Sequence, residues 1–255
     1  MSSYFQYDVI VVGGGHAGAE AAATAARMGA RTLLITMNLQ AIGQMSCNPA
    51  IGGIGKGQLV REIDALGGIM GRVTDASAIQ YRMLNQRKGP AVWSPRAQND
   101  RMQYADAVRK ELEAIPNLFM RMDMVTAVDV ENGKISGVRT QGDQHFKARC
   151  VILTSGTFMN GVIHIGSRQY GGGRAGERAS VGLTACLEDL GFESGRLKTG
   201  TPPRIDGRSL DFAKLEEQPG DNYASPFSFM TDALHKQQMS CWLTKTTPHD
   251  HDLLR

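Results

Sequence analysis

At 255 residues, 42% hydrophobic and 21% charged, the chain is long enough and apolar enough to bury a core, which excludes a disordered tail or a fibrous repeat. Its formal charge of +3 is too small to point to nucleic acid or membrane, although residues 81–101 carry five basic side chains against Asp100 alone. Thirty glycines, gathered in short runs beside apolar stretches, suggest backbone held close to a ligand.

The run Asp8-Val9-Ile10-Val11-Val12 predicts a strand buried on both faces. Gly13-Gly14-Gly15-His16-Ala17-Gly18 follows at once, then an alanine-rich helix over 19–28 capped by Gly29, and a second strand over 32–36. In this βαβ context Gly13, Gly15 and Gly18 read as a GxGxxG dinucleotide fingerprint. The first glycine permits the tight turn, the second lets backbone approach a pyrophosphate, and the third packs helix on sheet. Phosphates would lie at the helix N-terminus, where unpaired N–H groups and the helix dipole favour negative charge. A purely structural glycine turn is the alternative. The acidic residue expected at the end of the second strand is missing from Ile35-Thr36-Met37-Asn38. Thr36 or Asn38 is left for a ribose contact, and the motif does not separate NAD from FAD.

Residues 38–71 read as a glycine-rich loop followed by a helix over 59–66. Cys47, beside Pro49 in this loop, is a candidate nucleophile or base whose thiolate nearby N–H groups and Lys56 would stabilise. A buried core cysteine is the bland alternative. Gly55-Lys56 does not make a P-loop, because Ala50 stands where glycine is required and Gly57 where Ser or Thr should bind magnesium. A helix is expected over 99–114, stopped by Pro116-Asn117.

The period then changes to two. Residues 124–130, 135–140 and 144–147 predict a small antiparallel meander with turns at Asn132-Gly133 and Gly142, and residues 150–154 a separate buried strand. Gly171-Gly172-Gly173 leads to a helix over 180–190, and from Asp206 onward the pattern is irregular and mostly acidic. The expected division is therefore 1–205 and 206–255. A meander before a strand ending in Thr154-Ser155-Gly156 resembles the two-dinucleotide flavoprotein superfamily, in which FAD takes the amino-terminal site. The expected fold is thus α/β, a Rossmann-like FAD domain with a parallel sheet and an antiparallel meander, incomplete, followed by the start of an inserted α+β domain.

Cys47, Cys150, Cys186 and Cys241 show no CxxC pair, no run approaches the roughly 20 apolar residues of a membrane span, and no secretory signal opens the chain. A cytoplasmic protein with reduced thiols is expected. His235, His249 and His251 lie among acidic residues and read as a solvated loop, so no metal site is expected.

Val11-Val12-Gly13-Gly14-Gly15-His16-Ala17-Gly18, Ile42-Gly43-Gln44-Met45-Ser46-Cys47-Asn48-Pro49-Ala50-Ile51-Gly52-Gly53, Lys88-Gly89-Pro90-Ala91-Val92, Arg96-Ala97-Gln98 and Leu197-Lys198-Thr199-Gly200-Thr201-Pro202-Pro203-Arg204 occur in this order. Together they resemble the glucose-inhibited division protein A family, the flavoprotein subunit of the tRNA uridine 5-carboxymethylaminomethyl modification enzyme. The resemblance implies FAD held by Gly13, Gly14, Gly15, His16, Ala17 and Gly18, with Val125 at its adenosine end and Ser180 as a further flavin contact. It implies Cys47 in catalysis, by attack on the pyrimidine or by proton transfer. It also implies tRNA as substrate, methylenetetrahydrofolate as one-carbon donor, NADH as reductant, and a homodimer that joins a GTPase subunit in a heterotetramer.

Arg87, Lys88, Arg96 and Arg101 are the candidates for tRNA phosphates, with a solvated surface as the alternative for each. Trp93 and Tyr81 are the only aromatics among them, and Trp93 reads as a core or partner contact before a stacking platform. Family members run to well over twice this length, and Lys245 and Thr246 replace a usual His and Thr. A fragment or a truncated product is therefore expected, inactive by itself. Two rivals remain: a non-catalytic dinucleotide- or partner-binding module, and the folate-dependent tRNA uridine methyltransferase flavoprotein.

Overall fold

A computed structural model describes residues 6–234 and 237–253, and its centre is the strand β1 (Gln6–Val12). Val11 points to one side, into a cluster with Ala19, Ala22, Ala23 and Ala26 of α1 (His16–Arg27) and Leu34 of β2 (Thr32–Thr36). Ile10 and Val12 point to the other, with Leu33 and Ile35 of β2. A strand covered on both faces has no solvated side, which is why the sequence shows an unbroken apolar run. Helix α1 presents alanines to the sheet and ends before Gly29, whose φ of +92° fits a C-cap glycine.

The chain then leaves this sheet for β3 (Ala50–Gly52), α2 (Gly57–Ala65), α3 (Met70–Ser77), β4 (Ala78–Leu84), β5 (Ser94–Asn99) and α4 (Arg101–Glu113). It returns as β6 (Leu118–Met122), parallel to β2. The predicted helices are present in slightly shifted form, α4 being capped by the Asp100 carboxylate, which accepts from the N–H groups of Met102 and Gln103. Neither β6 nor the three-stranded antiparallel sheet β3-β5-β4 is signalled by apolar alternation. The reason is visible in its buried polar positions. Gln80, Ser94 and Asn99 are all buried, and Asn99 donates to Thr74 O and Ser77 Oγ while Gln80 donates to the carbonyls of Gln218 and Met239.

Next come β7 (Val125–Glu131), β8 (Lys134–Thr140) and β9 (His145–Leu153). Asn132 and Gly133 both have positive φ at the β7–β8 turn, as the Asn-Gly signal predicts. The two strands expected over 144–147 and 150–154 are one. Residues 145–147 pair antiparallel with β8, and the same strand pairs parallel with β1 from Lys147 opposite Gln6 to Leu153 opposite Val12. The six-stranded order is β6-β2-β1-β9-β8-β7, the expected α/β, Rossmann-like combination of a parallel sheet with an antiparallel meander.

A hairpin of β10 (Val162–Ile165) and β11 (Arg168–Gly171) follows, missed in the sequence, then α5 (Leu183–Asp189), which begins after Gly182 at φ +96° and not at Ser180. The remainder holds β12 (Glu216–Gln218), β13 (Cys241–Leu243) and α6 (Pro248–Leu253). Its irregular part is tied to the outer edge of β4. The N–H groups of Asp221 and Met239 donate to the carbonyls of Tyr81 and Ile79, and Gln238 Oε1 accepts from the Tyr81 N–H. This covers a strand edge that would otherwise be open. Phe227 is 0% exposed and meets Gly52, and Asp75 accepts from the N–H groups of Phe227 and Ser228 and from Tyr81 Oη. Burial and the Asp75 carboxylate together push the Tyr81 phenol well above its ordinary range, so it stays protonated as the donor.

Phe227→Ala should therefore cost about 3–5 kcal/mol in urea unfolding. A loss below about 1 kcal/mol would show that Phe227 does not anchor the segment after Asp206 against β3 and α3.

Candidate functional site

The turn after β1 is closed by contacts that only glycine permits. A Cβ at Gly13, which has φ +109°, would run into the Thr154 carbonyl, and one at Gly18 would overlap the Gly13 carbonyl oxygen. Thr154, just past β9, completes the closure: its N–H donates to Val12 O at 2.8 Å, and its Oγ1 lies 2.8 Å from Val12 O and 3.1 Å from Gly13 O. Gly15 is different. Nothing lies within 4 Å of the place its Cβ would occupy.

Gly15 is also the N-cap of α1 and offers no side-chain cap. The first helical bond runs from Ala19 N–H to Gly15 O at 2.9 Å, so the N–H groups of His16, Ala17 and Gly18 precede it at the positive end of the helix. An open approach over Gly15 beside these N–H groups fits a pyrophosphate. The His16 ring is largely buried beside Tyr104, with centroids 5.5 Å apart, and its Nε2 has no hydrogen-bond partner among the described residues. Burial lowers its pKa below 6.5, so it sits in the turn as neutral imidazole. Ala17 is exposed in the same first turn, and Gly14 packs against Thr36 and Ile42.

Val125 is buried at the start of β7, and the Asp123 N–H donates to Thr36 O, so this part of the chain lies beside the end of β2. That is where the adenosine end of a dinucleotide lies in a Rossmann unit. Asn38 caps the following turn by accepting from Gln40 N–H, which leaves Thr36 as the side chain that packs on the glycine turn. Ser180 bonds through both backbone groups to the loop after β9, donating to Phe158 O and accepting from Asn160 N–H.

The cysteine loop hangs from the same turn. Gly43 N–H donates to Gly14 O at 2.9 Å, Met45 is buried, and Ser46, Cys47 and Asn48 are exposed. Cys47 is therefore not a core residue. Its Sγ lies 3.2 Å from Gly200 O, and Arg204 and Arg174 reach Ser46-Cys47 from segments more than 120 residues away in sequence. Arg204 ends the run Leu197-Lys198-Thr199-Gly200-Thr201-Pro202-Pro203-Arg204. Arg174 was missed, and the signal that could have found it is the glycine run just before it.

The basic candidates are not brought into one cluster. Arg87 and Lys88 are exposed in the β4–β5 connection, Arg96 lies on β5 opposite Arg82, and Arg101 opens α4 beyond the far end of β5. The strand separates the first pair from Arg101 by roughly 17 Å. Trp93 Nε1 donates to Lys88 O and pins the connection, and Tyr81 is buried, so Tyr81 offers no stacking face. The Cys47, Cys150, Cys186 and Cys241 thiols are all free. Among the described residues no group of three or more His, Cys, Asp or Glu side chains could hold a metal, and no helix is long and apolar enough to cross a membrane. His235 lies outside the described residues.

Gly15→Ala should change stability by at most about 1 kcal/mol, because the added methyl meets no atom. Gly18→Ala should cost about 2–3 kcal/mol by forcing helix from strand; equal costs in denaturant unfolding would contradict the assignment of separate roles. His16 supplies a pH test. Its depressed pKa means that the unfolded chain binds the extra proton, so this contribution is present above the ordinary value and is lost as pH falls through it. Stability should drop from about pH 7.5 to about pH 5.5 less steeply in His16→Gln; an unchanged slope would show that the ring is not buried neutral.

A model of the family described as glucose inhibited division protein A matches residues 8–255. The chain is 65% identical over 256 residues to the tRNA uridine 5-carboxymethylaminomethyl modification enzyme MnmG of Salinibacter ruber, covering 99% of this chain and 39% of that protein. It is 60% identical to the protein of the same name from Christiangramia forsetii, over 98% of this chain and 40% of that one. It thus spans about two fifths of the length of these curated relatives. Among solved structures, Aquifex aeolicus GidA in its form II crystal is similar with a TM-score of 0.96 and 48% identity, over 100% of this chain and 43% of that one. The GidA-related protein from Thermus thermophilus, 22% identical with a TM-score of 0.55 over 73% of this chain and 69% of its own, shares the fold. With the family model spanning all but the first seven residues, the chain belongs to the glucose inhibited division protein A family.

Proposed function

We propose that this chain is the amino-terminal, cofactor-holding part of an FAD-dependent enzyme that modifies the wobble uridine of tRNA, forming its 5-carboxymethylaminomethyl or aminomethyl group. The observation that carries the reading is the bond between Gly43 and Gly14, which hangs the cysteine loop directly on the dinucleotide turn. Cys47 follows Gly43 by four residues, so its Cα lies within about 14 Å of the turn's partner. The names of the relatives support the substrate class.

In this reading the N–H groups of residues 16–18 hold the FAD pyrophosphate, the open face of Gly15 admits it, Val125 offers backbone to the adenosine and Ser180 meets the flavin. Bound FAD supplies the redox steps, with NADH as reductant and methylenetetrahydrofolate as one-carbon donor. Cys47 is the reactive group of the chain itself, acting on the pyrimidine as nucleophile or by moving a proton. Arg87 and Lys88 contribute sequence-independent contact with tRNA phosphates, and Arg96 and Arg101, set apart from them along and beyond β5, make separate contacts. Residues 206–255 open a second, inserted domain anchored to the first through Phe227 and Asp75. The complete enzyme is a cytoplasmic homodimer that works with a GTPase subunit.

The test is Cys47→Ser in a full-length enzyme made by grafting this chain onto the remainder of the Salinibacter ruber relative. The variant should keep its flavin absorbance while modified wobble uridine in tRNA falls by at least about 100-fold. Full modification would remove Cys47 from the mechanism. A wild-type graft that binds flavin and never modifies tRNA would support a binding module instead.

A further inference from the structure

The tip formed by Ser46, Cys47 and Asn48 is exposed, but both of its ends are fixed. Gly43 is bonded to Gly14 on one side, and on the other Pro49 O accepts from the Asn99 N–H at 2.7 Å. Between such anchors a short exposed segment can still rotate its peptide planes, and each rotation would swing the Cys47 side chain. Two guanidinium groups close on this segment. Arg204 Nη2 donates to Cys47 O at 2.6 Å and lies 3.3 Å from Ser46 O. Arg174 Nη1 donates to Ser46 Oγ at 2.7 Å.

Arg174 is itself held in place. Its Nε and Nη2 engage Glu177 Oε1, its guanidinium lies 5.6 Å over the Phe158 ring, and its side chain is mostly covered. Phe158 in turn carries the Ser180 N–H on its carbonyl, in the loop that continues from Thr154. Arg204 arrives from an exposed segment without helix or strand, the same one whose Gly200 carbonyl receives the Cys47 thiol. Both arginines therefore direct donors at the cysteine loop, and Arg174 has its charge matched by Glu177.

We propose that Arg174 and Arg204 are positioning residues, Arg174 holding the Ser46 hydroxyl and Arg204 the Ser46 and Cys47 carbonyls, which together hold the thiol in one orientation for reaction. The inference rests on the reading of Cys47 as the reactive group. A single Arg204 nitrogen, Nη2, meets both neighbouring carbonyls, its direction set by the rigid guanidinium plane, whereas a lysine ammonium is carried on a flexible four-carbon stem. Neither arginine touches the reacting atoms in this role, and each acts through the loop.

Arg174→Ala and Arg204→Ala in the grafted full-length enzyme test this, with kcat, KM for tRNA and flavin absorbance measured together. Each should lower kcat by about 10- to 100-fold, the cost of displacing a reacting group by around 1 Å, with KM and flavin content unchanged. Added guanidinium ion, at millimolar levels below denaturing ones, should restore part of the Arg204→Ala activity. Arg204→Lys keeps the charge and serves if the alanine variant does not fold; it should still lose kcat. A raised KM with unchanged kcat would overturn the proposal and make these arginines tRNA contacts. Lost flavin in both Arg204 variants would overturn it in favour of a structural role. Activity retained in Cys47→Ser defeats the underlying reading, whereas an inactive Cys47→Ser beside fully active arginine variants defeats this inference alone.

Discussion

Everything at the candidate site depends on how closely α1 approaches the β1–β9 strand pair. Gly18 sits against the Gly13 carbonyl and Thr154, at a distance that a single methyl group would prevent. That contact aims the first turn of the helix out of the sheet and leaves its N–H groups facing the open side of Gly15. The turn is also a point of suspension. The cysteine loop is bonded to it through Gly43 and Gly14, and the loop carrying Phe158 continues from Thr154. A change at position 18 therefore reaches groups from three separate stretches of chain, whereas a methyl added at position 15 meets no atom.

Electrostatics at the site is shaped by backbone more than by side chains. Burial keeps His16 neutral, so it adds no positive charge beside the helix end, and the attraction for an anion comes from oriented N–H groups and the helix dipole. The arginines near Cys47 are directed at carbonyls and a hydroxyl. Charge-assisted hydrogen bonds of this kind are shorter and stronger than neutral ones and fix geometry as well as contributing energy. The exposed candidates for phosphate, Arg87 and Lys88, lie elsewhere, on the β4–β5 connection.

The βαβ unit was legible because its rules are local: an apolar run buried on both faces, a glycine turn and a helix with a small-residue face. Asn132-Gly133 marked its hairpin for the same reason, since both residues adopt positive φ. β9 was read as two strands because its environment changes along its length. Residues 145–147 pair with the meander and residues 150–153 continue alone beside β1, so the sequence switches pattern while the backbone does not. The β3-β5-β4 sheet was hidden by buried polar residues whose partners, such as the Gln218 and Met239 carbonyls for Gln80, lie far along the chain. At the site, Cys47 and Arg204 were visible as residue types within motifs. Their meeting was not, because it joins segments 157 residues apart. Arg174 had no motif of its own and became meaningful only through its bonds to Ser46 and Glu177.

The turn over residues 13–18 is proposed to seat a dinucleotide next to the cysteine loop. A crystal structure of the chain grown with FAD tests this most directly. Pyrophosphate oxygens should lie about 3 Å from the N–H groups of His16 and Ala17, over the open face of Gly15, with the adenosine toward Val125. Ordered FAD bound at another surface, with this turn free of phosphate, would contradict it.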